Sequence, residues 1–418
     1  MKRLLIKLFS WLKNRFGPVH RYINSDIADY TMTIKRNPND IEAYTNRGIS
    51  YAKLGNHIDA IADFTKAIKI QPNFNEPYYN RAISYQHLEC HIDAIADFDI
   101  AIKIEPNFDY VYNDRGRSYQ ELENHIEAID DFTKAIKINP NFNEAYINRA
   151  ISYAVIGNID AEMADYTMAI NIDPTFPYAY YNRGTSYAKL GNHVEAIADF
   201  KMCIKINTND TEALINRGIS YQHLGNHIDA IADFKRVIEI DSNDINGYYN
   251  RGISFHHLGN FTEAVADFTR AITINPDEPE IYYRRSISYQ HLEYHIEAIA
   301  DYTMCIKLDP NPNPNLYYGR GGSNGSLGNH IEAIDDYSMA INIDPNFAYA
   351  YNNRGVSYQD LGNHIDAIAD FTIAVNIDPN NASAFNNRGV SYQKIGKDKE
   401  AIADFDMAFK IDPNFAPA

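Results

Sequence analysis

The sequence predicts an all-α protein of repeated helix-turn-helix hairpins, on three observations: a 34-residue period, two helical stripes in each period, and a proline closing most periods. The decapeptide Gly-Asn-His-Ile-Asp-Ala-Ile-Ala-Asp-Phe occurs at 55–64, 225–234 and 362–371. The copies lie 170 and 137 residues apart, which is five periods of 34 and then four periods plus one residue inserted near Asn313. Self-similarity at such a period marks stacked repeats. It also explains a biased composition of 32 Tyr against a single Trp in 418 residues. Length alone would suggest two or three separate domains.

Taken in order, residues 1–24 form a basic amphipathic segment and 25–40 a degenerate half-repeat that caps the N-terminal end, with Ile27, Tyr30 and Ile34 on one face. Eleven repeats follow at 41–74, 75–108, 109–142, 143–176, 177–210, 211–244, 245–278, 279–312, 314–347, 348–381 and 382–415, and 416–418 is a tail. In repeat one the first helix carries Tyr44, Gly48, Tyr51 and Leu54 at helical spacing. A Gly55-Asn56 turn leads to the second stripe of Ala60, Ile61, Phe64, Ala67 and Ile68. Pro72 ends that helix because it lacks an N–H and crowds the preceding turn. The same stop recurs at Pro106, Pro140, Pro174, Pro276, Pro310, Pro345, Pro379 and Pro413.

The chain resembles the tetratricopeptide repeat family, whose pattern is met in the last repeat by Phe385, Gly389, Tyr392, Ala401, Phe405, Ala408 and Pro413. The resemblance implies a right-handed α-solenoid superhelix whose first helices line a concave groove for extended peptides. Three departures are marked. Thr208 and Ser242 replace the terminal proline and weaken two helix stops. Glu162 takes a small-residue place and puts the packing of repeat four in doubt. The run Tyr317 to Gly328 in repeat nine holds interior glycines, each unfavourable by roughly 1 kcal/mol against Ala, and is the expected weak point. The last hairpin, with Phe405 and Phe409, has no polar capping helix after it, so that end is expected either to self-associate or to meet a partner.

No catalytic residue, cofactor or metal is expected. The Gly-rich stretch at 319–328 lacks the Lys and the strand-helix setting of a phosphate loop. Cys90, Cys203 and Cys305 are far apart, with no zinc or disulfide spacing. Adjacent acids such as Asp130-Asp131 and Asp335-Asp336 point about 100° apart on a helix and read as a solvated face. Eight histidines (57, 91, 125, 193, 227, 295, 330 and 364) begin second helices, where the related family has a large ring, and are expected to pack between hairpins. Five more (87, 223, 256, 257 and 291) lie near the ends of first helices. Equivalent positions stand about 10 Å apart, too far for one shared ion. A net charge of −17 disfavours nucleic acid as a partner.

Where the family has Leu before the small residue, every repeat has Arg, and every second helix has Asp before its aromatic. Arg47 with Asp63, Arg183 with Asp199 and Arg251 with Asp267 lie at equal heights across a hairpin, predicting a structural ladder of ion pairs. One residue before the Arg, eight repeats place Asn: Asn46, Asn80, Asn148, Asn182, Asn216, Asn250, Asn353 and Asn387. An Asn amide donates and accepts, matching the backbone of an extended peptide. This is similar to the asparagine ladder in the repeat superhelix of the O-linked N-acetylglucosamine transferases, without their catalytic domain. Tyr79, Tyr181, Tyr249 and Tyr283, with Tyr318, would add aromatic anchors. The alternative for the Asn row is bonding to neighbouring helices. The basic clamp of chaperone-binding members is absent, and Glu42, Glu76, Glu144, Glu212 and Glu280 favour a basic peptide.

Residues 1–18 carry Lys2, Arg3, Lys7, Lys13 and Arg15 and no acid, a net +5 that leaves −22 on the rest. Drawn as a helix, residues 4–16 gather Leu4, Leu5, Leu8, Phe9, Trp11, Leu12 and Phe16 on one side. Attachment to an anionic membrane surface and folding back onto the first hairpin both fit this pattern. No run is long enough to span a bilayer. The expected function is a non-catalytic, cytoplasmic or membrane-peripheral scaffold that binds an extended partner segment in its groove. The competing expectation is an assembly subunit that meets folded partners through its ends or convex face.

Overall fold

In repeat one, Asp40 caps the helix Ile41–Lys53 by accepting from the Ala43 N–H at 2.9 Å. Gly55 closes it in the left-handed region at φ 78°, and the Asn56 N–H reaches back to the Tyr51 carbonyl at 2.9 Å. That closure satisfies the last carbonyls of the helix, and only glycine adopts its backbone without strain. Asn56 then caps the second helix, His57–Ile70. This helix–turn–helix unit recurs along the computed structural model, which describes residues 22–413; no strand occurs among them. The fold is an all-α solenoid of helical hairpins.

Residues 22–36 form a helix in the second-helix slot of a half-repeat. Thr31 on it accepts from Arg47, as Thr65 accepts from Arg81 one repeat later. The reading of 1–24 as an amphipathic helix concerns residues that lie, up to residue 21, outside the described part. Stacking shares each core between neighbours: Tyr78, Ala82, Phe98 and Ala101 of repeat two pack with Val111 of repeat three and Ile68 of repeat one. Phe64 and its equivalents in repeats two to ten are buried, each worth about 1.5–3 kcal/mol of apolar burial. A Cβ on Gly48 would stand 2.6 Å from the Phe64 ring.

The chain divides into two compact units within repeat five, one ending at Gly191 and taking Lys205–Asn207, the other made of Asn192–Ile204 and Thr208 onward. Repeat nine, the expected weak point, forms an unbroken helix, Pro314–Ser326. Its glycines make room: a Cβ on Gly319 would stand 2.5 Å from the Tyr302 hydroxyl, and one on Gly321 would stand 2.9 Å from the Tyr337 ring. The helices ending at Ile206 and Ile240 stop in the same frame as the others without a following proline at Thr208 and Ser242. Glu162 is buried and takes a hydrogen bond from Ser186, so repeat four packs around a satisfied carboxylate. In the last hairpin Phe405 is half-buried over Gly389 and Phe409 is exposed.

Candidate functional site

The hairpin geometry brings the Arg and Asp rows together. Arg47 donates through Nε and Nη2 to both Asp63 oxygens at 2.7 Å, and Arg251 grips Asp267 with the same two distances. Eight further pairs follow the same pattern, from Arg81 with Asp97 to Arg388 with Asp404. Arg183 and Asp199 fall in different units, and Arg183 donates to Thr167 at 3.0 Å. Asp131 and Asp336 therefore do not belong to a solvated face. Both are buried in these clamps, and only their neighbours Asp130 and Asp335 are exposed.

Most of the clamps have two further parts that the sequence reading missed. The Arg Nη1 donates to a hydroxyl of the preceding repeat, for example Arg149 to Thr133 at 2.9 Å and Arg354 to Ser338 at 2.9 Å. The guanidinium also sits between two rings of its own helix, Tyr44 at 5.7 Å and Tyr51 at 5.9 Å around Arg47. Residues three before and four after the Arg share its helix face, so the tyrosine-rich composition serves cation–π contacts. A second link joins successive repeats. Gln86, Gln120, Gln222 and Gln290 each donate to a carbonyl and a Ser hydroxyl of the next repeat at 2.7–2.9 Å. A Ser at this position in all eleven repeats was the available signal.

The asparagine row is used in more than one way. Asn148 donates to Asn113 at 3.0 Å, Asn353 to the Tyr318 hydroxyl at 3.0 Å, and Asn387 to Asn352 at 3.3 Å. Each bond joins a repeat to the one before it, as in the bonding-to-neighbours alternative. Asn80 and Asn250 donate to carbonyls of their own helices, and Asn46 is exposed. Asn182 and Asn216 are half-buried.

Tyr79 is not a free anchor: its hydroxyl donates to Asp114 at 2.7 Å, and burial, then that carboxylate, push its pKa up. Tyr318 likewise serves Asn353. Tyr249 and Tyr283, both next to Arg284, whose guanidinium lies 5.8 Å over the Tyr283 ring, line two cavities of about 260 Å³ each, one repeat apart. Ile245, Asn246 and Glu278 complete the first cavity, Cys305, Asp309 and Leu316 the second, and Glu280 belongs to both. Among the first unit's residues, Asn148, Asn182, Tyr178, Ile147 and Arg117 line a cavity of about 350 Å³. Tyr181 is half-buried.

The histidines stack between repeats. His57 lies parallel to His87 at 4.5 Å, His193 to His223 at 4.4 Å and His227 to His257 at 4.9 Å. The Nδ1 atoms of all eight second-helix histidines are buried without a hydrogen-bond partner, that of His330 lying 3.7 Å from Asp360. Burial first, then the neighbouring imidazole, holds His57, His193 and His227 below the usual histidine range. Among the described residues no group of three or more His, Cys, Asp or Glu could hold a metal ion.

Models of the tetratricopeptide repeat match residues 41–74, 110–142, 177–210, 211–244, 245–278, 348–381 and 382–415, with further repeat models at 279–312 and 326–362. The chain belongs to the tetratricopeptide repeat family. Members of this family are generally non-catalytic, and this repeat array is a protein-interaction scaffold. No curated protein matches the sequence. The fold is similar to the C-terminal part of a TPR repeat-containing protein from Cytophaga hutchinsonii, at 20% identity over 58% of this chain and 98% of that one, with a TM-score of 0.50. A tetratricopeptide repeat protein from Parabacteroides merdae aligns at 20% identity over 60% of this chain and 98% of its own, TM-score 0.45. YrrB, a TPR protein with an unusual peptide-binding site, aligns at 23% over 43% of this chain and 93% of its own, TM-score 0.39. No helix of the described residues is long and apolar enough to cross a membrane.

Proposed function

We propose that the protein holds an extended segment of a partner protein along its first helices. The observation that carries this reading is the pair of equivalent cavities in repeats seven to nine, which share Glu280 and are lined by Tyr249 and Tyr283. Successive first helices stand about 10 Å apart, which an extended chain covers in about three residues. Repeated tyrosine-lined cavities can thus seat every third side chain of a segment in the polyproline II conformation, which repeats every three residues over about 9 Å. Glu278 and Asp309 in the lining give the site a preference for basic side chains, while Glu280 is already bridged by Arg284 at 2.8 Å. In the first unit, Asn148 and Asn182 line the corresponding cavity with Tyr178, and Asn148 Oδ1 accepts from a partner backbone while its Nδ2 stays with Asn113.

Partner capture from the native cell with wild type and the Tyr249→Ala/Tyr283→Ala chain side by side tests the reading. A partner whose recovery falls about tenfold, cross-linked to repeats seven to nine through an extended segment, supports it. Unchanged recovery of every partner sinks it. The competing assembly-subunit reading draws on exposed Phe409. It expects loss on Phe409→Ser instead.

A further inference from the structure

The edge formed by the hairpin turns of repeats one to three carries an apolar row that no described residue covers. Ile58, Ile92 and Ile126, each the second residue of its second helix, are 72%, 74% and 65% exposed. An isoleucine so exposed is ordinary once; three in register along one edge form a ridge, and although Ile296, Ile331 and Ile365 form a second such row, the one in repeats one to three is the row next in the chain to residues 4–16. The row is broken in repeat four, where Asp160 occupies the equivalent place and Ile159 has shifted by one. Around it stand Asp59, Glu89, Asp93, Glu121, Glu123 and Glu127, against the one basic residue Lys53 in those three turns. Glu89 and Glu123 hold the left-handed turn position, φ 58° and 60°, which glycine takes in repeat one.

We propose that residues 4–16 of this same chain dock as an amphipathic helix along this ridge, their apolar side on the isoleucines and their basic residues on the flanking acids. Three observations converge. Charge is complementary: the segment 1–18 carries +5 and no acid. Length matches, since 13 helical residues span about 20 Å and two repeat steps of about 10 Å separate Ile58 from Ile126. The described chain also begins at the right place. By the bond from Arg47 to Thr31, residues 22–36 fill a second-helix slot, so Tyr22 lies at the turn edge one step before Ile58. Residues 17–21, between the two, start with Gly17-Pro18, a dipeptide type that favours turns. A second copy's ridge would bring like charges together, and an anionic lipid surface would meet the same acids.

The chain carries its own probes. Trp11 is its only tryptophan, and Cys90, between Leu88 and Ile92, is its exposed thiol. Cys203 and Cys305 are buried, with thiols pushed up to about 12 and about 11. The test is acrylamide quenching of Trp11 and the rate of Cys90 labelling by a disulfide reagent, in lipid-free buffer, for wild type, Ile58→Lys/Ile92→Lys/Ile126→Lys, and Leu8→Asp/Leu12→Asp. Docking predicts Trp11 quenching at least about twofold weaker in wild type than in the ridge variant, and Cys90 labelling at least about threefold slower than in the head variant. Both effects should be independent of protein concentration and weaker in high salt. Circular dichroism checks that the exposed ridge substitutions leave the fold intact. Equal quenching and labelling in all three chains overturns the proposal. Shielding lost on dilution assigns the ridge to a second copy, and shielding that appears only with vesicles containing anionic lipid assigns the segment to a membrane; either overturns it.

Discussion

Repeats three and nine build the same hairpin on different terms. In repeat three the clamp is tight: Arg115 meets Asp131 at 2.6 and 2.7 Å and also holds Asp99 of the preceding repeat, and Phe132 packs over Gly116. In repeat nine the Nε of Arg320 is shared between both oxygens of Asp336 at 3.1 Å, and Asn324 gives that carboxylate another donor at 3.1 Å. Rings at the two joints of repeat nine carry hydroxyls, Tyr302 and Tyr337, and glycines clear the space for them. The comparison teaches that the repeat tolerates a looser clamp where an extra polar partner and a larger ring take over part of the packing.

The largest expected effect comes from removing the arginines. Arg115→Met leaves Asp131, whose side chain is 2% exposed, without its main partner; breaking such a pair costs about 3–5 kcal/mol. Arg320→Met should cost less, because Asn324 still donates to Asp336. Urea melts of the two variants check the order. Equal losses would show that the Asn324 bond contributes nothing.

Next come the glycines of repeat nine. Gly319→Ala would drive a methyl into Tyr302, whose hydroxyl also donates to Gln290 at 2.9 Å, and overpacking of this kind costs about 1–3 kcal/mol. Gly322→Ala, three residues along the same helix, meets nothing nearer than 3.9 Å and should stabilise by about 0.5–1 kcal/mol. Opposite signs in thermal melts separate a glycine needed for space from one that only weakens the helix.

These two glycines also show what the sequence could and could not reveal. The hairpins were legible because their signals are local: apolar residues three and four apart, a turn, a proline. The Arg and Asp rows could be matched because the partners lie 16 residues apart across one turn. The links at 28, 32 and 35 residues depend on the register in which one hairpin stacks on the next, which no local pattern encodes. For the same reason Tyr79 read as a groove anchor, although its partner Asp114 lies in the next repeat, and Gly319 read as a weakness, although it makes room for a ring 17 residues earlier.

Acidification should act away from both repeats, at the stacked histidine joints. His57 and His227 lie below the ordinary histidine range in the folded chain because burial and a second imidazole disfavour their cations. The unfolded chain therefore binds more protons once pH falls under about 6.5. Stability is unaffected above that value and declines below it. Raised pKa values of buried Asp131 and Asp301, set first by burial, act in the opposite sense on further acidification. Thermal melts at pH 7.5 and 5.5 should show a lower midpoint at 5.5, and His87→Phe/His257→Phe should reduce the difference. An undiminished difference would place the sensitivity elsewhere.

The smallest expected effect lies in the turn of repeat three. Glu123 holds φ 60°, whereas repeat nine has Gly328 at 79° in the same place. A side chain in the left-handed region is strained by roughly 1 kcal/mol, and glycine relieves that while adding unfolded-chain entropy. The net gain expected for Glu123→Gly is about 0.5 kcal/mol, and Gly328→Glu in repeat nine should lose a similar amount. If the isoleucine ridge binds residues 4–16, Glu123→Gly also removes one of its acids. Measured at low and high salt, the gain should then grow with salt, because the lost attraction is screened while the backbone effect is not. A salt-independent gain would confine Glu123 to the turn.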